Sequence, residues 1–127
     1  MINLVYTTYL DKLDKIPNED IKLIIMRLPP NIDILKYDNI YFIQNLSPSK
    51  DILFNFKNDN NWELFKNNFI NQLNNSNIIN KLIYKINKNL DKNIFLICCE
   101  KSPYRCHRSI ISDILNSNNI KCEEWKG

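Results

Sequence analysis

The chemistry available to this chain is concentrated in eleven residues, Cys98-Cys99-Glu100-Lys101-Ser102-Pro103-Tyr104-Arg105-Cys106-His107-Arg108. They include three of the four cysteines, the only histidine and two of the three arginines. Thiols, an imidazole, a carboxylate and guanidinium groups at this density suit two kinds of chemistry. One is nucleophilic attack by a cysteine while a neighbouring group moves protons. The other is capture of a phosphate or carboxylate by a helix N-terminus ringed with cations.

Ser102 can cap a helix and Pro103 can open it, which predicts Cys106 within the first helical turn. Unpaired N–H groups there, with Lys101, Arg105 and Arg108 nearby, would lower a thiol pKa. The same groups would hold an anion, so spacing leaves several readings open. In one, Cys106 is a nucleophile and His107 or Glu100 moves protons. Helical neighbours diverge by about 100°, which disfavours a direct Cys106–His107 pair. In a second, the segment only binds an anion and Cys106 is a small helix residue. In a third, Cys98, Cys99, Cys106 and His107 hold zinc, although consecutive strand residues face opposite sides. In a fourth, Cys98 is simply a buried strand residue. A structural network is also open, in which His107 and Arg108 lock the last helix through Glu100. The five residues between Cys99 and Arg105 match the spacing of the cysteine phosphatase loop, but that loop uses glycine and this one contains Pro103.

Such a segment needs elements that carry it to an open edge. Residues 2–7, 21–27, 41–43, 93–98 and 120–125 read as strands, the last at an edge. The runs Leu23-Ile24-Ile25-Met26 and Ile94-Phe95-Leu96-Ile97 lack polar alternation, as strands covered on both faces do. Ser47-Pro48 predicts a helix start. Trp62, Phe65, Phe69 and Leu73 recur at helical spacing through an Asn-rich stretch, so that stretch reads as an ordered helix. Asn74-Asn75-Ser76 reads as a break. A helix burying Ile79, Leu82, Ile83, Ile86 and Leu90 follows, with Lys81, Lys85, Lys88 and Lys92 on a solvated face. A last helix runs through Ile110, Ile111, Ile114 and Leu115. Strands alternating with helices predict an α/β fold, a single three-layer domain over residues 1–127 with a mainly parallel central sheet flanked by helices. Such sheets bind ligands beyond the carboxyl ends of their strands, here after Thr7, Arg27 and Cys98.

Composition narrows the choices further. The chain has 127 residues, 44% hydrophobic and 24% charged, which fits one soluble domain. No apolar run approaches a membrane span, and the first ten residues lack the pattern of a secretion signal, so the cytoplasm is the expected location. The only glycine is Gly127, which excludes Walker loops, dinucleotide fingerprints and nucleophile elbows of the usual type. A single histidine excludes a two-histidine metal motif. The chain has no alanine, 22 asparagines, and 14 lysines against three arginines, as an AT-rich coding bias would leave. Under that bias, Arg27, Arg105 and Arg108 mark positions that need a planar fork. The net charge of +3 permits an anionic partner without announcing nucleic acid.

Leu96-Ile97-Cys98-Cys99-Glu100-Lys101 followed by Cys106-His107-Arg108 resembles the signature of the family catalogued as domain of unknown function 488. Val5-Tyr6-Thr7-Thr8-Tyr9 resembles its opening strand. Met26-Arg27-Leu28-Pro29-Pro30 resembles its arginine-proline segment, and Trp62-Glu63-Leu64-Phe65 the start of its long helix. The resemblance covers most of the chain. It implies a compact α/β fold and a site built from Arg27, Glu100, Cys106, His107 and Arg108, with Tyr6 and Thr7 close by. It supplies no substrate.

The reading that follows is an enzyme acting on an anionic, nucleotide-like or nucleic-acid substrate. Cys106, His107 and Glu100 are the catalytic candidates. Arg27, Arg108, Tyr6, Thr7 and Lys101 are the substrate-binding candidates. No metal and no cofactor is assigned. A non-catalytic nucleotide-binding module is the alternative.

Overall fold

The computed structural model describes residues 4–127. Five strands form one sheet: β1 Val5–Tyr9, β2 Ile21–Ile24, β3 Ile40–Phe42, β4 Ile94–Cys98 and β5 Cys122–Glu124. Their order is β3-β2-β4-β1-β5 and every pairing is parallel. The chain is an α/β protein. The first strand was expected over residues 2–7; it runs from Val5 to Tyr9, and Ile2 and Asn3 lie outside the described residues.

The central strands β2 and β4 are buried at every position. Their side chains alternate between the two faces, as the pleat requires. Ile94, Leu96 and Cys98 enter the larger core, and Phe95 and Ile97 the smaller one. The larger core is closed by all four α-helices: α1 Lys50–Asp59, α2 Trp62–Ser76, α3 Ile78–Lys88 and α4 His107–Ser117. The smaller core is closed by a thin layer that includes the 3-10 helix Leu10–Lys15, with Ile32, Tyr37 and Trp125 packed against it. The three layers are therefore unequal.

Helix boundaries follow local chemistry. Ser49, not Ser47, caps α1: its Oγ accepts the Ile52 N–H at 3.3 Å. Asn61 caps α2 in the same way at Leu64. The turn between α2 and α3 falls at Asn77, beyond the expected break at 74–76, because Asn77 takes the left-handed conformation (φ 58°). In a chain without internal glycine, asparagine takes this role at Asn39, Asn60, Asn77 and Asn119. Of the expected lysine face, Lys81, Lys85 and Lys88 lie on α3, with Lys85 over the Tyr41 ring and Lys88 over the Tyr84 ring. The helix ends at Lys88, so Lys92 lies beyond it, and Leu90, expected to be buried, is exposed. No helix of the described residues is long and apolar enough to cross a membrane.

One buried charge is purely architectural. Lys22 donates from Nζ to the carbonyls of Asn18, Asp20 and Asp38 at 3.0, 2.9 and 2.8 Å. It ties together the loops entering β2 and β3, at the opposite end of the strands from the cysteine-rich segment.

Candidate active site

The site is built where β4 ends and α4 begins. Cys98 is the last residue of β4, on the helix-covered face. The chain then loops out and returns through Arg105, which holds φ 52°. Ser102 accepts the Tyr104 N–H in a tight turn instead of capping a helix. The helix begins at His107, and Cys106 is its N-cap with extended backbone (φ −110°, ψ 142°). That shift places Cys106 outside the helical spiral, so the 100° argument against a Cys106–His107 contact does not apply.

Cys106 Sγ lies 3.1 Å from Cys98 Sγ. His107 Nδ1 lies 3.9 Å from Cys98 Sγ and 4.0 Å from Cys106 Sγ. His107 Nε2 is 2.6 Å from the Ile25 carbonyl, which can only accept, so Nε2 carries a proton and donates it. In the neutral ring, the Nδ1 lone pair then faces the two sulfurs. Phe69 packs edge-on against the imidazole, with ring centroids 5.8 Å apart.

Two sulfurs this close do not titrate separately. The S–H bond from Cys106 holds Cys98 well below the usual thiol range, in spite of burial and with help from His107. The same bond, together with burial, pushes Cys106 far above it. The pair thus gives up its first proton readily and its second with difficulty. Cys99 turns outward: its thiol points toward Glu100 at 3.8 Å, and partial burial and nearby negative charge raise it to about 11. The four-ligand zinc set, one of the readings open from the sequence, does not form: only Cys98, Cys106 and His107 come together, and the Cys99 thiol lies toward Glu100.

Arg108 is 0% exposed and all five of its N–H donors are used internally. Nε and Nη2 bind the Glu124 carboxylate at 3.0 and 2.9 Å. Nη2 also reaches the Lys101 carbonyl at 3.0 Å. Nη1 donates to the Glu100 carbonyl and to Cys106 Sγ, the latter at 3.5 Å. Glu124 is steadied by Thr7 Oγ1, which donates to Oε1 at 2.7 Å. These contacts correct the expectation that Arg108 forks onto a substrate. The partner that holds it is the Glu124 side chain, with only the main-chain oxygen of Glu100.

The remaining candidates separate cleanly. Glu100 is exposed and lines two adjoining hollows. One, of about 410 Å³, is lined by Cys106 and His107 together with Lys50, Phe54, Lys57 and Arg105. The other, of about 330 Å³, is lined by Cys98, His107, Arg27, Ser47 and Pro48. Leu53, Glu100 and His107 border both, so the hollows form a two-lobed cleft at the carboxyl end of β4. Thr7 supports Glu124 instead of facing the cleft. Tyr6 faces the opposite side of the sheet, stacked on Phe95 at 5.2 Å, because neighbouring strand residues must alternate. Lys101 borders neither hollow and contributes its carbonyl to Arg108.

Sequence reasoning missed Glu124 and the α1 side chains Lys50, Phe54 and Lys57, and it gave Cys98 only as a zinc ligand or a buried strand residue, not as a partner of Cys106. The signal for Cys98 was available, since it ends the most buried strand at the edge where ligands bind.

A family model for the active DUF488-N3 subclade, DUF488-N3a, matches residues 6–119. The chain belongs to this family. No curated protein and no solved structure matches it. The DUF488-N3a match spans β1 through α4 and so contains the whole Cys98–Cys106–His107 cluster; Glu124 lies beyond it.

Proposed function

We propose that this DUF488-N3a chain is a thiol-dependent hydrolase or transferase acting on a small anionic, nucleotide-like substrate. The observation that carries this reading is the opening of the sulfur–imidazole cluster into a cleft fringed by four cations. Lys50, Lys57 and Arg105 border one lobe, and Arg27 borders the other. A flat apolar group would lie against Phe54 and Phe56, and a phosphate or carboxylate would meet the cations. The cleft has the size of a small-molecule site.

In this reading Cys106 is the nucleophile. At rest the Cys106 S–H donates to the Cys98 sulfur; as Cys106 attacks, that proton passes to Cys98, and Arg108 and the start of α4 steady the negative charge on the attacking sulfur. The sulfur lone pair forms the new bond and the leaving group departs with its bonding electrons. Glu100 at the rim relays a proton from solvent to the leaving group, His107 holds the two sulfurs in place, and water or an acceptor then displaces the Cys106 sulfur from the bound group. Arg27 holds the substrate's anionic end, and nucleic acid is the larger version of the same chemistry.

The test uses nucleoside phosphates and the matching nucleosides. Phosphates should raise the melting temperature and nucleosides should not, and Arg27→Ala with Lys57→Ala should remove the shift. Cys106→Ser should bind the same nucleotide without converting it. Conversion by Cys106→Ser would remove the thiol mechanism, and a panel without any shift would remove the substrate class.

A non-catalytic binding module is the second reading. The depth of the sulfurs favours it, since Cys98 is 0% and Cys106 2% exposed. It requires full ligand affinity in Cys106→Ser and no conversion by the unaltered protein.

A further inference from the structure

Cys98 Sγ, Cys106 Sγ and His107 Nδ1 all lie within 4.8 Å of one another. The imidazole nitrogen is nearly equidistant from the sulfurs, at 3.9 and 4.0 Å. A proton relay needs contact with only one of them. The Ile25 carbonyl, by accepting from Nε2, turns the Nδ1 lone pair toward the pair of sulfurs. A backbone carbonyl behind the imidazole is the usual way of orienting a metal-binding histidine. On the other side, Arg108 Nη1 donates to Cys106 Sγ at 3.5 Å, which supports a thiolate.

We infer that Cys98, Cys106 and His107 form a three-donor site for a thiophilic divalent cation of the zinc class, with its fourth position open to the cleft. Two thiolates and a neutral imidazole select such an ion over magnesium or calcium, which require oxygen donors. Tetrahedral Zn–S bonds of about 2.3 Å place two sulfurs about 3.8 Å apart. The pair must therefore open from 3.1 Å, while the imidazole closes in. Cys106 precedes the helical residues of α4, so rotation of its side chain achieves this without moving the helix. Two thiolates neutralise the ion's charge in a buried setting. Each thiol that binds releases a proton to solvent, nothing is oxidised or reduced, and affinity falls as pH falls. Cys99 cannot complete the set because it faces Glu100, so water or an anionic ligand takes the fourth position.

This site uses the same side chains as the proposed catalysis but does not rest on it. A bound ion occupies both sulfurs and silences a thiol nucleophile, whereas a chain that converts no substrate still binds the ion. The experiment titrates the reduced, metal-free full chain with cobalt(II), then with zinc(II). One equivalent of cobalt should give the visible bands of a tetrahedral centre with thiolate-to-cobalt charge transfer, and zinc should displace it. Cys98→Ser and Cys106→Ser should weaken binding by about a hundredfold or more, while Cys99→Ser and Cys122→Ser retain it. The unaltered protein decides the matter if a variant misfolds. Zinc should protect Cys98 and Cys106 from alkylation, mapped by mass spectrometry, and leave Cys99 labelled. Three results would overturn the site: no protection at saturating zinc, a cobalt spectrum without charge transfer, or loss of binding in Cys122→Ser.

Discussion

Arg108, at the start of α4, and Glu124, on the edge strand β5, form a two-pronged ion pair, with side-chain exposures of 0% and 30%. The pair joins the helix that presents Cys106 and His107 to the edge strand β5, which lies beside β1 in the sheet. Its guanidinium also closes the loop after β4 by holding two carbonyls. The cysteine-rich loop is therefore anchored from below, and its upper surface is left to the cleft.

Breaking that anchor from the carboxylate side leaves a buried guanidinium without its counter-charge. Glu124→Ala should lower unfolding free energy by about 3–5 kcal/mol. Glu100→Gln should change it by less than about 0.5 kcal/mol, because the Glu100 side chain is exposed and only its main chain serves Arg108. Urea denaturation of the two variants checks the order, and equal losses would contradict the anchor.

Alkylation should run against exposure. Cys99 is the exposed cysteine, yet it is raised to about 11 and remains a thiol at neutral pH. The Cys98–Cys106 pair already carries one negative charge there. A small reagent such as iodoacetamide at pH 7, followed by peptide mapping, should modify the pair before Cys99 or Cys122. Faster labelling of Cys99 would contradict the shared charge.

Cys122, on β5, is raised to about 11 chiefly by burial. The native state keeps this proton more tightly than the unfolded chain does. The stability it contributes is therefore complete below the ordinary thiol value of about 9 and is lost as pH rises through about 11. Two units of difference correspond to a change on the order of 3 kcal/mol. Denaturation midpoints at pH 8.5 and 11 should fall further for the unaltered protein than for Cys122→Ala, which has no thiol to titrate.

Phe54 is 63% exposed on α1 and borders the cleft. Phe54→Ala should shift stability by no more than about 0.5 kcal/mol. A nucleotide at a hundred times its dissociation constant should stabilise the unaltered protein by about 2.7 kcal/mol. Loss of most of that gain in Phe54→Ala, read as the shift in melting temperature, would tie the aromatic wall to ligand binding.

Much of the framework was legible because its signals are local. The unbroken apolar runs in β2 and β4 announce covered strands, and Phe65, Phe69 and Leu73 announce the inward face of α2. Crowding of rare reactive residues after a buried strand points to the site. What escaped depends on long-range pairing. Nothing near Glu124 in the sequence marks it as the partner of Arg108, and a helical arginine carries no local sign of facing inward. Tyr6 was avoidable: strand alternation forbids it from sharing a face with Thr7. The α1 side chains of the cleft were hidden because the helix starts two residues later than Ser47-Pro48 suggests, which changes the face it turns to the site.

The position of β1 has a bearing on how the protein is made. Its neighbours in the sheet, β4 and β5, are both synthesised some ninety or more residues after it. An emerging chain therefore carries β1 without its partners while β2, β3 and helices α1 to α3 are made. Until Glu124 has been synthesised, Arg108 lacks this counter-charge, so the anchor of the cysteine-rich loop forms only once β5 is available to pair with β1.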